Sequence, residues 1–238
     1  MRKHIPNFIT LLNLLSGFAA TVFAIKGYNE YAAFLIIAGG IFDFSDGLAA
    51  RFLKSYSDIG KELDSLADIV TFGIAPGAIV LNLLIDNGTG LVPGFILACL
   101  IPAASALRLA KFNNDTTQTT SFRGLATPAS AFTVISFVIA SEYSRCAIFD
   151  TLVASYWFIG ALSIFLSVMM LVNTRMFSLK FKHLRWSGNE ERYILAGVSL
   201  ILLLILKLAS PPLIMISYIL ISIIFNVLRR RGTSTAAA

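Results

Sequence analysis

Charge is what this chain has least of. Only 13% of its 238 residues are Asp, Glu, Lys or Arg, against roughly 25% in an ordinary soluble domain. So few charges cannot cover a core with a hydrated surface. Cysteine and histidine are also scarce, at two each. Cys99 and Cys146 lie far apart with no CxxC pattern and no neighbouring histidine, which excludes a disulfide framework and a zinc site. His4 and His183 stand alone and are expected at membrane surfaces. No linker or low-complexity stretch divides the chain, so residues 1–228 are expected to form one domain. Residues 229–238 are expected to be an irregular cytoplasmic tail. The basic residues are scattered among short loops, which argues against nucleic acid as a partner.

What is abundant is apolar sequence: 57% of residues are hydrophobic and the mean hydropathy is +0.79. A spanning helix needs about 20 such residues. Eight segments qualify, at 5–25, 31–50, 62–85, 90–110, 126–142, 150–173, 193–206 and 210–228. The expected fold is therefore all-α, a polytopic integral membrane bundle of about eight transmembrane helices. With this count, all but Lys26, Arg145 and Lys207 of the 19 Lys and Arg residues fall on one side. The positive-inside rule makes that side cytoplasmic, with both termini. The first segment has the basic start of a secretion signal. Yet Asn7, Thr10, Asn13 and Ser16 recur every three residues along one face, which suits a helix retained and packed inside a bundle.

Four aspartates interrupt this apolar sequence. They sit in Asp43-Phe44-Ser45-Asp46-Gly47-Leu48-Ala49-Ala50-Arg51 and, eight residues on, Gly60-Lys61-Glu62-Leu63-Asp64-Ser65-Leu66-Ala67-Asp68. A carboxylate in a membrane helix costs about 2.5–3.5 kcal/mol even on lenient scales. At 3.6 residues per turn, Asp43, Asp46, Gly47 and Ala50 share a face, as do Gly60, Asp64 and Asp68. Two adjacent helices can thus aim four carboxylates into one volume. The close cations Arg51, Lys54 and Lys61 are too few for a salt-bridge network that must also serve Asp58 and Glu62. A transporter's ion pathway is the other reading of intramembrane carboxylates, but it does not call for the embedded glycines. Gly73 and Gly77 form a GxxxG spacing assigned to packing or a kink.

The pattern Asp-x-x-Asp-Gly-x-x-Ala-Arg, eight residues, Gly-x-x-x-Asp-x-x-x-Asp resembles the signature of the CDP-alcohol phosphatidyltransferase family at every defined position. The resemblance implies transfer of a phosphatidyl group from CDP-diacylglycerol to an alcohol, with release of CMP. It also implies that Asp43, Asp46, Asp64 and Asp68 are metal ligands, with Asp68 doubling as the general base, and that the protein is a homodimer. Two divalent cations, Mg²⁺ or Mn²⁺, suit that donor, because hard cations prefer carboxylate and phosphate oxygens. Gly47 and Gly60 leave room for a nucleotide, Ala50 allows close helix approach, and Arg51 is placed to hold a phosphate or pair with an aspartate.

Flanking runs resemble the bacterial serine-using branch of that family. They include Pro6-Asn7-Phe8-Ile9-Thr10, Arg108-Leu109-Ala110-Lys111-Phe112-Asn113 and Phe122-Arg123-Gly124-Leu125-Ala126-Thr127-Pro128. L-Serine is the acceptor this implies, giving phosphatidylserine. Serine carries a carboxylate, so a cation is expected in its pocket, and Arg108 and Arg123 are the candidates; simple topological charge is the competing account. Arg108 and Lys111 are one turn apart, close enough to divide acceptor and phosphate between them. Thr127 and Pro128 are expected as N-cap and first residue of the fifth helix. Inositol phosphate or glycerol phosphate as acceptor, and an archaeal ether-linked donor, are the nearest alternatives.

Overall fold

The apolar runs do become helices. The computed structural model describes residues 4–55, 57–114, 122–144, 146–177, 186 and 189–235; His183, Arg145 and most of the 175–192 loop lie outside them. The side chains of Phe122, Arg123, Arg175 and residues 229–235 also lie outside the description. The order is α1 (Ile5–Ile25), α2 (Asn29–Phe52), α3 (Asp58–Asp68), a π-helical turn (Ile69–Ile74), α4 (Ala75–Asp86), α5 (Leu91–Asn114), β1 (Phe122–Arg123), α6 (Thr127–Tyr143), α7 (Ala147–Val153), α8 (Tyr156–Leu171), β2 (Arg175–Met176), α9 (Glu190–Leu206) and α10 (Ser210–Thr235). The only sheet among the described residues is a two-residue antiparallel pair, with Phe122 opposite Met176 and Arg123 opposite Arg175.

Each expected segment has a helical counterpart, but among the described residues five helices, or six if α7 and α8 make one bent span, are long and apolar enough to cross a membrane. The local differences have local causes. The third begins four residues early because Ser57 caps it, its Oγ accepting from the Gly60 N–H at 3.0 Å. The same span continues from α3 through the π turn into α4, 29 residues in all. The π turn sits where Pro76 has no N–H to return to the Phe72 carbonyl, so the ladder widens there. The sixth span is broken: α7 and α8 meet at 77°, where Ser155 caps a new helix start. α9 packs against α10 across a turn at Lys207, whose φ is +50°. The tail expected to be irregular from Arg229 is helical as far as Thr235, because extending an existing helix fixes one residue per hydrogen bond gained.

Small residues let the helices close up. Ala20, Ala24, Ala32 and Ala33 are fully buried where α1 meets α2. A Cβ added to Gly39 would lie 2.5 Å from Thr71 Cγ2 and 3.0 Å from Asn13 Oδ1. One added to Gly17 would run into the Thr71 backbone. The core proper gathers Ile36, Phe72, Ile79, Ile101, Leu125, Ile135, Leu166 and Met170. The outer faces are apolar too, with Phe18 63% and Trp157 74% exposed, as lipid-facing helices require. At one end, Asn29 donates to Asn82 Oδ1 (2.6 Å) and Asn87 to the Val153 carbonyl (2.8 Å). The aspartates lie at the other end.

Candidate active site

The C-terminal half of α2 carries Asp43 and Asp46, and α3 carries Asp64 and Asp68 one turn apart. One carboxylate oxygen from each of Asp43, Asp64 and Asp68 lies within 4.8 Å of the others. Asp46 points slightly elsewhere. It is buried, lines the neighbouring cleft, and its Oδ2 accepts a 2.5 Å hydrogen bond from Thr10 Oγ1. It remains within electrostatic range of Asp64.

α1 supplies the polar groups that orient these carboxylates. Asn13 Nδ2 reaches Asp68 Oδ1 at 3.5 Å, and the Thr71 hydroxyl, on the π turn, donates to the Asn13 carbonyl at 2.9 Å. The close approach at Gly17 and Gly39 is what makes this possible. Three carboxylates so near one another repel unless a proton is shared or a cation lies between them. Asp64 Oδ1 is buried with no hydrogen-bond partner, so its lone pairs are open to a ligand. An all-oxygen donor set with such a free acceptor fits a hard divalent cation.

Beside the carboxylates is a cleft of ≈ 210 Å³ between α1, α2 and α3, lined by Pro6, Asn7, Thr10, Asp46, Gly47, Ala50, Ser55, Ser57, Gly60, Lys61 and Asp64. A Cβ on Gly47 would meet nothing within 4 Å; it would project into open space. Gly60 is tighter, with Ser57 Oγ 3.0 Å and Asn7 Oδ1 3.1 Å from such a Cβ. Arg51 is exposed at the end of α2 and does not line the cleft. Lys61 does, and its Nζ donates to the Asn113 carbonyl at 3.3 Å. Asn113 in turn donates to Ser65 Oγ at 2.8 Å, so α3 is docked on the end of α5.

Arg108 is buried inside α5's inner face, 8% exposed. It lies within electrostatic range of Asp68 and of Tyr218 from α10. One of its NH groups donates to Thr127 Oγ1 at 2.9 Å, while its Nε has no partner. Lys111, one turn further along α5, is exposed. Thr127 is not the cap of α6: Ala126 holds that position with extended backbone, and the Thr127 hydroxyl is turned to Arg108. Arg123 has its backbone in β1, four residues before Thr127 in the chain; its side chain lies outside the described part. Gly73 and Gly77 do pack, their Cβ positions 3.1 Å from Ser105 and Pro102 of α5.

Sequence reasoning missed Thr10, Asn13, Thr71 and Lys61 as contributors to the site. The polar stripe on the first segment was the available signal for the first two. Thr71 and Lys61 gave none, because nothing local says which neighbour they face.

Apolar helical spans around a cleft edged by clustered carboxylates define an integral membrane protein with an acidic site at one end of its bundle. That arrangement has a family. The chain belongs to the CDP-alcohol phosphatidyltransferases, whose family model matches residues 3–169, and is thus an enzyme of phospholipid synthesis. It is 35% identical over 134 residues to a CDP-diacylglycerol–serine O-phosphatidyltransferase of Bacillus subtilis, covering 56% of this chain and 74% of that one. It is 30% identical over 221 residues to the enzyme of the same name from Helicobacter pylori, covering 92% and 89%. An archaetidylserine synthase of Methanothermobacter thermautotrophicus is 32% identical over 144 residues, or 59% and 60% of the two chains.

Proposed function

We propose that the protein transfers the phosphatidyl group of CDP-diacylglycerol to the hydroxyl of L-serine, giving phosphatidylserine and CMP. The observation that carries this is the carboxylate group of Asp43, Asp64 and Asp68, with Asp46 beside it, at the edge of a cleft whose wall is left open at Gly47. These four aspartates would hold two Mg²⁺ or Mn²⁺ ions. When bound, such ions supply positive charge for a diphosphate donor and for the phosphoryl group under attack. The remaining steps belong to the chain. Gly47, Ala50 and Gly60 make room for the nucleotide, and Lys61 on the cleft wall meets its phosphates. Thr10 and Asn13 hold Asp46 and Asp68 in orientation.

Asp68 takes the proton from the serine hydroxyl as its oxygen bonds to the phosphorus that bears diacylglycerol. The bond from that phosphorus to the CMP oxygen breaks, and CMP leaves with the electron pair. Arg108, buried and with an unsatisfied Nε, is placed to receive the acceptor's carboxylate; Arg123 is the second candidate for that contact. Positioning and fixed charge then supply most of the acceleration. The excess of Lys and Arg at the site end supports a cytoplasmic active site with both termini on that side, and family membership supports a homodimer.

The test is CMP release by purified protein in detergent with Mn²⁺ or Mg²⁺, with and without L-serine. Serine-dependent, chelator-sensitive release from CDP-diacylglycerol is the expected result. Release with glycerol phosphate or inositol phosphate instead would replace the acceptor. The archaeal relative makes the ether-linked donor a second arm of the same assay. Silence with every acceptor and donor, together with solute movement across sealed vesicles, would favour a transporter.

A further inference from the structure

The last helix lies beyond the part of the chain matched by the family model, which ends at residue 169, yet it reaches the inner end of the site. Tyr218 on α10 is 8% exposed. Its hydroxyl donates to the Phe177 carbonyl at 3.2 Å, and its ring meets the Phe177 ring edge-on with centroids 5.1 Å apart. Phe177 directly follows β2, and β2 pairs with β1. The connection continues on the β1 side. The Gly124 N–H donates to the Thr174 carbonyl and that of Leu125 to the Met169 carbonyl, both at 2.8 Å. Gly124 has φ +77°, and a Cβ there would strike the Met170 carbonyl, so the segment passes the end of α8 as closely as backbone allows. Two residues after Leu125 comes Thr127, which holds Arg108.

Each link is rigid. A backbone hydrogen bond, a two-residue ladder and a buried side-chain bond join α10 to the guanidinium on α5. Tyr218 also lies within electrostatic range of that guanidinium directly.

We propose that Tyr218 is a positioning residue for the acceptor: it fixes the 174–177 and 122–127 segments against each other and so sets where Arg108 presents its unsatisfied Nε to an acceptor carboxylate. α10 then contributes to the acceptor subsite, and the segment beyond the family match helps decide which alcohol is used. The inference rests on the acceptor reading above. Tyr218 does not itself line the nucleotide cleft or join the carboxylate group, so the effect on the acceptor should exceed any effect on the donor.

The experiment is steady-state CMP release by Tyr218→Phe, which keeps the ring and its contact with Phe177 and removes only the hydroxyl. The expected result is a serine KM raised about fivefold or more, with kcat at saturating serine and the KM for CDP-diacylglycerol within twofold of wild type. Thr127→Val, which removes the hydroxyl that Arg108 donates to, should reproduce this signature. The double variant should be no worse than the poorer single one, because both act through the same guanidinium. An unchanged serine KM in both variants overturns the proposal, as do equal losses in kcat and donor KM, or effects that multiply in the double variant. A wild type that ignores serine strikes the acceptor reading itself. A serine-active wild type beside an indifferent Tyr218→Phe strikes only this inference.

Discussion

Adding one methyl group at Gly47 separates what the fold needs from what the ligand needs. Gly47 lies in the interior of α2, and a Cβ there would meet no atom within 4 Å. Alanine is about 0.5–1 kcal/mol better than glycine inside a helix, so Gly47→Ala should fold at least as well as wild type. The new methyl group projects into a cleft of ≈ 210 Å³. Forcing a methyl into a well-filled site costs about 1–3 kcal/mol, which at about 1.36 kcal/mol per decade is roughly a five- to 150-fold loss. The assay is serine-dependent CMP release at varied CDP-diacylglycerol, alongside thermal unfolding of the same preparation. The expected pair is a melting point equal or higher and kcat/KM for the donor lower by that factor. Gly39→Ala is the contrast. Its methyl would lie 2.5 Å from Thr71 Cγ2, so stability and activity should fall together. A Gly47→Ala protein with wild-type donor kinetics would refute the assignment of this cleft to the nucleotide.

Three further outcomes follow from the geometry. Asp64→Asn, and equally Asp43→Asn, should lower transfer at least about a hundredfold while the protein still inserts and purifies as a monodisperse species; normal turnover would end the metal-site assignment. Thr10→Val removes the 2.5 Å bond to Asp46; hydrogen bonds to charged groups contribute about 1.5–3 kcal/mol, so kcat/KM should fall about tenfold to a hundredfold, and Thr10→Ser should restore most of it. Arg108→Ala should raise the serine KM about thirtyfold or more while CMP binding, read by calorimetry, persists; unchanged serine KM places the acceptor pocket elsewhere.

The spacing of the aspartates could be read from the chain because helical periodicity is local. Residues three and four apart share a face whatever surrounds them, so Asp64 and Asp68 were bound to project together once Ser57 started the helix. The apolar segments were legible for the same reason, because bilayer thickness imposes a length on each apolar run. The small residues Gly73 and Gly77 announced a close helix contact without saying with which helix.

Contacts between helices distant in sequence were not legible, since the chain carries no local mark of its partners. Asp43 and Asp46 share a face of α2, yet only Asp43 joins Asp64 and Asp68 within 4.8 Å, while Asp46 turns to Thr10. That split depends on how α1 seats against α2 and the π turn, and the seating depends on the missing side chains at Gly17 and Gly39. Arg51 and Lys61 looked alike as basic residues near a membrane surface, but packing placed Lys61 on the cleft and left Arg51 outside it. Likewise Arg108 and Lys111, one turn apart, were separated by burial: α5 turns Arg108 inward, toward Thr127 and Tyr218, and leaves Lys111 exposed. Sequence alone determined the all-helical membrane class, the approximate course of the apolar segments and the residue types at the site. The tertiary structure decided which of those residues meet, because a side chain's partner is set by the packing of helix faces that only the folded bundle brings together.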